Sequence, residues 1–292
     1  MTSMMLQYLE IKEQYKDFIL FYRLGDFYEM FFNDAITASR ELELTLTGRD
    51  CGEPERAPMC GVPYHSVEPY IGKLISKGYK VAICEQMENP AETKGIVKRE
   101  VVREITPGTV VEASLLNETK NNYLCSLYFH RGGVGVTFAD ISTGEMSATL
   151  IEGEPSRVLN ELGTYAPREI ITNIDSDSGA FLSTFAKEKL GALVEFSMDS
   201  YFDSESCRAR VIAQFGEDFA SKSLNETGIA SSVGAILEYI IKTQKTDISY
   251  ISSVNVYGEG QYLEMDLNTR RNLELCESMR SKEKRGTLYW VL

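Results

Sequence analysis

Histidine is scarce in this chain of 292 residues, which has only His65 and His130, and its six cysteines form no C-x-x-C pair. A tetrahedral zinc site draws closely spaced ligands of these two kinds, so no metal centre is expected. Scattered thiols without a pairing framework fit a reducing compartment, and the expected location is cytoplasmic. No apolar run approaches the ~18 residues of a membrane span, and no basic–apolar–small segment follows Met1. A membrane partner is therefore not expected. The chain also lacks a G-x-x-x-x-G-K-[ST] loop, the backbone cradle for nucleotide phosphates, which excludes ATP hydrolysis by that route. Internal repeats and low-complexity tracts are absent too.

Basic charge is in short supply. The 43 acidic residues outnumber 30 basic ones, for a net charge of −13. Residues 1–108 carry 13 basic and 17 acidic groups, residues 109–250 carry 11 and 20, and residues 251–292 carry 6 of each. The acidity sits mainly in the middle, which should avoid phosphate. Lys94, Lys98, Arg99 and Arg103 make a local basic feature in the first segment. A protein that held duplex DNA by charge alone would show a basic domain. This chain should bind DNA weakly.

Hydrophobic patterning predicts an α/β protein. An amphipathic helix over 4–16 precedes strands at Phe18 to Leu24 and Phe27 to Phe32, with Gly25-Asp26 as the turn. Asn33 or Asp34 can cap a helix through Leu42. The stretch from Gly48 to Pro63 is dense in Gly and Pro and reads as a loop. Ser66 is expected to cap a helix ended by Gly78, with strands at 79–84 and 99–106 to follow. Pro107-Gly108 closes this region, so the first domain is placed at 1–112. Three strands at 123–130, 134–139 and 145–151 then lead into alternating segments: helices 155–165, 179–188 and 204–214, strands 168–172 and 192–196. Three antiparallel strands followed by β/α alternation suggest a ribonuclease H-like second domain at 113–250. Helical spacing returns after Glu264, and the apolar Trp290-Val291-Leu292 end suggests a boundary inside a larger α-helical domain begun at 251.

One short segment carries chemistry. In an extended Phe27-Tyr28-Glu29, the first and third side chains share a face while Tyr28 turns to the other. A flat ring beside a hydrogen-bonding acid could open a base step and read the displaced base. Read locally, the pattern favours Phe27 as a core ring and Glu29 as a solvated charge, because aromatic residues in strands are usually core.

Longer blocks narrow the choice. FILFYRLGDFYEMFFNDAITASREL (18–42), APMCGVPYHSVEPYIGKLISKGYKVAICEQMENPAETKGIVKREVVREITPGT (57–109) and DLNTRRNLEL (266–275) resemble, in order and spacing, the bacterial MutS DNA mismatch repair family. Between them the likeness is carried mainly by FADISTGE (138–145). The resemblance implies an N-terminal α+β mismatch-recognition domain, a ribonuclease H-like connector domain and the beginning of the core or lever domain. It implies that Phe27 wedges at a mispaired or unpaired base in the minor groove and that Glu29 hydrogen-bonds it. Arg49 and Arg99 match positions that contact the DNA backbone, and Met59 matches an apolar residue near the groove. It further implies mismatched double-stranded DNA, a second subunit of a homodimer and a downstream repair protein as partners. ATP and Mg²⁺ are expected only in a C-terminal domain outside this chain, so no cofactor and no enzyme activity are expected within it.

Two rivals come from the second domain. A metal-dependent nuclease of the ribonuclease H type needs clustered carboxylates, yet residues 123–130 contain none. Asp140, Glu145, Asp175 and Asp177 read as turn and loop acids. Alternatively, the acidic second domain is a protein-interaction module.

Overall fold

The computed structural model describes residues 1–88, 95–116, 120–154, 157–223, 227–258, 265, 267–280 and 283–291. Lys94 and residues 155–156 of the helix expected over 155–165 lie outside them. The chain forms two compact units. The first holds Met1–Asn122, Ile141–Thr143 and Tyr239–Tyr250; the second holds Tyr123–Asp140, Gly144–Glu238 and Ile251–Leu292.

In the first unit, α1 (Ser3–Gln14) leads into β1 (Phe18–Leu24), β2 (Phe27–Phe31), α2 (Phe32–Leu42), β3 (Thr47–Arg49) and β4 (Ala57–Pro63). A 3₁₀ turn (Tyr64–Ser66), α3 (Glu68–Ser76), β5 (Lys80–Gln86) and β6 (Arg99–Ile105) follow. The strands make one sheet in the order β3-β4-β2-β1-β5-β6. All neighbours are antiparallel except β1 and β5. Strand β1 is apolar or aromatic from Phe18 through Tyr22 because both faces of that stretch are covered. Ile19 and Phe21 join a core with Ala35 and Ala38 of α2 and Leu74 of α3. Leu20 and Tyr22 join a second core with Met5 and Tyr8 of α1.

Three local expectations are corrected here. The stretch from Gly48 to Pro63 contains two strands rather than a loop alone. Pro58 is tolerated in β4 because its partner is Gly48 of the three-residue β3, where few ladder bonds are at stake. Helix α2 starts at Phe32 without a side-chain cap. Its Asp34 carboxylate turns instead to α1 and β1, accepting from the Leu20 amide at 3.0 Å and pairing with Lys12 Nζ at 2.9 Å. Burial holds that carboxyl above its ordinary value. Ser66 lies in the 3₁₀ turn, and the residue before α3 is Val67.

In the second unit, β7 (Tyr123–His130), β8 (Gly133–Asp140) and β9 (Glu145–Ile151) form an antiparallel meander. They are followed by α4 (Val158–Tyr165), β10 (Glu169–Thr172), α5 (Ala180–Phe185), β11 (Leu193–Glu195), α6 (Ser204–Phe215), α7 (Glu217–Ser223), α8 (Thr227–Gln244, of which the residues through Glu238 belong to this unit) and β12 (Asn255–Val256). Strand order is β11-β10-β7-β8-β9-β12, with β10 parallel to β7 and β11 parallel to β10. The first five strands thus have the ribonuclease H-like arrangement. Helix α8 meets β8 closely: a Cβ at Gly135 would stand 2.0 Å from the Gly228 oxygen. Thr137 and Ser232 hydroxyls bond at 2.7 Å beneath it. Beyond β12, which pairs with β9, the chain forms the short helices α9 (Leu267–Asn272) and α10 (Leu288–Val291).

Candidate nucleic-acid interface

The β1–β2 hairpin is closed by Gly25-Asp26, with Gly25 at a φ of +58°, the left-handed region that glycine occupies without penalty. Leu24 pairs with Phe27 directly across this turn. Alternation along β2 then decides what each side chain meets. Tyr28 and Met30 enter the core beneath α2 and α3. Phe27, Glu29 and Phe31 occupy the opposite face. Helix α1 covers only one end of that face, because Tyr8 packs edge-on against Phe31 (5.0 Å) and Tyr22 (5.4 Å). Phe31 is fully buried there, while Phe27, four residues earlier, is 46% exposed. Phe27 is a displayed ring, not a core ring.

The neighbours of this open end are set by register. Pro63 lies beside Phe27, Gly61 beside Glu29 and Met59 beside Phe31. A Cβ at Gly61 would come within 3.3 Å of the Tyr28 oxygen and 3.5 Å of Glu29 Cγ, so glycine leaves the strip beside Glu29 clear. Met59 is half-buried, and Thr47 Oγ1 donates to its carbonyl at 3.1 Å. Arg49 on the edge strand β3 reaches inward, and its Nη1 pairs with the Glu29 carboxylate. The Glu29 side chain is 15% exposed and that of Arg49 36% exposed. The sheet thereby gathers four of the five expected residues: Phe27, Glu29, Arg49 and Met59.

Arg99 is the exception. It starts β6, at the sheet edge opposite β3, and is 8% exposed. Its Nε donates to the Arg23 carbonyl at 2.8 Å, and its Nη1 donates to Gln7 Oε1 at 3.1 Å and to the Val97 carbonyl at 3.0 Å. The guanidinium also lies 4.9 Å from the centre of the Tyr22 ring. Burial pushes the Tyr22 hydroxyl up to about 12, against the pull of that positive charge. These bonds enclose the guanidinium at the opposite edge of the sheet, so the structure does not bring Arg99 to the strip that holds Phe27 and Glu29. Two other members of the basic stretch are matched by acids: Lys98 pairs with Glu100 at 2.6 Å, and Arg103 takes both oxygens of Glu112, Nη2 to Oε2 at 3.1 Å. Sequence pattern could not show this, because the Arg99 partners lie 76 and 92 positions away.

The acids singled out in the second unit serve strand ends and turns. Asp140 is buried at the end of β8, and Glu145 accepts from the Tyr123 hydroxyl at 3.2 Å. Asp175 accepts the amides of Asp177 and Ser178 at 3.0 and 2.9 Å, bonds that hold its carboxyl below its ordinary value and stitch a turn. Among the described residues no group of three metal-ligating side chains converges, and no helix is long and apolar enough to cross a membrane.

Fold and site together define a protein of two successive α/β units, the second ribonuclease H-like and the first bearing an open aromatic–carboxylate pair. The family model described as MutS domain I matches residues 2–114, and that described as MutS domain II matches residues 122–252. The DNA mismatch repair protein MutS of Acetivibrio thermocellus is 49% identical over 294 residues, an alignment covering 100% of this chain and 34% of that protein. Its counterpart from Ruminiclostridium cellulolyticum is 50% identical over 294 residues, covering 100% and 33% respectively. That from Clostridium novyi is 49% identical over 292 residues, covering 100% and 32%. The chain belongs to the MutS family. It spans about a third of the length of the curated relatives it matches.

Proposed function

We propose that this chain recognises mispaired or unpaired bases in duplex DNA and that its first unit is the reader. The observation that carries the proposal is the 46% exposure of Phe27 at a strand end whose next same-face residue is the carboxylate Glu29. A displayed ring can enter the minor groove and stack on a base step. Unstacking a step costs a few kcal/mol, and less where pairing is already damaged. The kink at a mismatch is therefore cheaper than at a paired step, and this difference provides the discrimination.

Glu29 supplies the second half. Its carboxylate accepts a hydrogen bond from the displaced base, and to turn toward that base it must leave Arg49. The freed guanidinium then suits a phosphate oxygen, as backbone contacts position a protein without reading sequence. Paired DNA offers the carboxylate no such base, so separating Glu29 from Arg49 goes uncompensated there. Met59 adds apolar surface near the groove. Arg99 has no direct part in this reading; it is an internal strut between α1, β1 and β6.

The reading extends to the whole protein. It assigns ATP and Mg²⁺ to a region outside this chain, makes the chain itself non-enzymatic, pairs the whole protein with a second subunit, and places it in the cytoplasm. The acidic second unit, within the segment carrying 20 acidic and 11 basic groups, suits a protein partner, such as a downstream repair factor, better than DNA. Titrating this chain at low ionic strength with a duplex containing a G·T pair or one unpaired base, against its fully paired counterpart, tests the central point. Tighter binding to the defective duplex is expected. Equal binding to both would favour the protein-interaction reading.

A further inference from the structure

The face of the β1–β2 hairpin opposite Phe27 holds a cluster that the reading above does not use. Arg23 is the last residue but one of β1 and pairs with Tyr28 across the hairpin. Its guanidinium lies 3.4 Å from the centre of the Tyr64 ring and 5.6 Å from that of Tyr28. From this position Nε donates to the Gly25 carbonyl at 2.5 Å, inside the turn itself. Nη1 faces Glu85 Oε2 on β5 at 3.5 Å, and the Tyr28 hydroxyl donates to the other oxygen of Glu85. The turn is held from a second side by the Tyr64 amide, which donates to the Asp26 carbonyl at 3.0 Å. Arg23's own carbonyl is gripped by Arg99 at 2.8 Å.

We propose that Arg23 is a positioning residue for Phe27: a rear clamp that makes the hairpin end a rigid mount for the displayed ring. The proposal rests on the wedge reading of Phe27. A ring that is 46% exposed is not fixed by its own packing, so its aim depends on the backbone that carries it. Force applied to a base step returns to the Gly25-Asp26 turn. Gly25 has open space around the place of a Cβ, so side-chain contacts of its own cannot brace the turn. Arg23 provides the brace because a planar guanidinium can stack on an aromatic ring and donate from its edge at the same time. Lysine, a point charge without a plane, cannot do both. The arginine side chain is 16% exposed and sits behind the sheet, so it does not compete for phosphate. A rigid mount favours selectivity because ordering the wedge on binding would cost the free energy that distinguishes mismatched from paired DNA.

The test uses this chain with Arg23→Gln, Arg23→Lys, Tyr64→Phe, Tyr64→Leu and Phe27→Ala, read in two ways. Amide exchange at Tyr64, whose N–H holds the turn, reports the mount without DNA. It is expected to quicken about tenfold in Arg23→Gln and Arg23→Lys, with core amides of β1 and β5 unchanged. Titration at low salt with mismatched and paired duplexes reports the wedge. Both arginine variants and Tyr64→Leu should lose about tenfold in the ratio of the two affinities, with paired-duplex affinity unchanged, and Tyr64→Phe, which keeps the stacking ring, should retain the ratio. Wild-type selectivity in Arg23→Lys would overturn the clamp, as would a fall in paired-duplex affinity that tracked the loss of selectivity. If Phe27→Ala also keeps its selectivity, the wedge reading itself fails; if Phe27→Ala loses it and Arg23→Gln does not, only the clamp fails.

Discussion

Truncating Phe27 to alanine separates a displayed ring from a core ring by energy and by binding together. Fully burying a phenylalanine contributes ~1.5–3 kcal/mol relative to exposure. With 46% of Phe27 exposed, about half of that, ~1–1.5 kcal/mol, should be lost in Phe27→Ala, and solvent can fill the space, so no cavity term is added. Phe31, in the same strand and on the same face, is the internal control. It is 0% exposed, and Phe31→Ala should cost ~3–5 kcal/mol because a cavity remains. Urea unfolding followed by circular dichroism, with an unchanged slope, measures both variants. Binding should move the other way. Phe27→Ala should bind paired and mismatched duplexes alike at low salt, since the cost difference between the two kinks is no longer exploited. A loss of ~3 kcal/mol or more in Phe27→Ala, or a surviving preference for mismatched DNA, would refute the reasoning.

Glu29→Gln should raise affinity for paired DNA, because it frees Arg49 from its ion pair; the slope of log K against log salt should steepen by about one phosphate contact, ~0.9. Adding Arg49→Gln should cancel that gain, and additive effects in the double variant would show that the two side chains do not couple. Arg99→Gln should destabilise the chain by ~2–4 kcal/mol through unsatisfied buried carbonyls and leave the salt slope unchanged, whereas a shallower slope would restore a phosphate role. A colorimetric thiol titration at pH 8 should find Cys276 reacting fast and the five buried cysteines slowly. Burial pushes the Cys60 thiol up to about 11 and Cys84 to about 12 from an ordinary 9.0. The neutral thiols therefore contribute stability that is complete below 9 and is lost as pH rises through 11–12, so a melting temperature rising over that interval would contradict their placement. At ~150 mM salt, where counterion release is weak, this chain alone should bind a mismatched duplex more weakly than micromolar.

Where both faces of a strand are covered, the sequence was easy to read. Strands β1, β7 and β9 have the expected bounds, because runs such as Phe18–Leu24 leave no other use for so many apolar and aromatic residues. Phe27 and Glu29 could be placed on one face from the period of two alone, but not their exposure, which depends on how far α1 reaches along the sheet. Strands β3 and β4 were hidden by Pro58, Gly48 and Gly61, whose strand roles depend on partners rather than propensity. The burial of Arg99 is hidden for a related reason. A basic residue between Lys98 and Glu100 looks solvated, and only the approach of Gln7 and Arg23 shows that its charge is enclosed. The link between Arg49 and Glu29 was equally invisible, since it joins residues 20 apart on different strands.

The central claim, that Phe27 enters the base stack, is open to direct observation by a fluorescent base. With 2-aminopurine placed next to a single unpaired base, insertion of the ring should unstack the probe and brighten it as the chain is added at low salt. The paired duplex should show little change, and Phe27→Ala at saturating concentration should leave the probe quenched even at the unpaired site. Equal brightening by the wild-type chain and by Phe27→Ala would contradict the account.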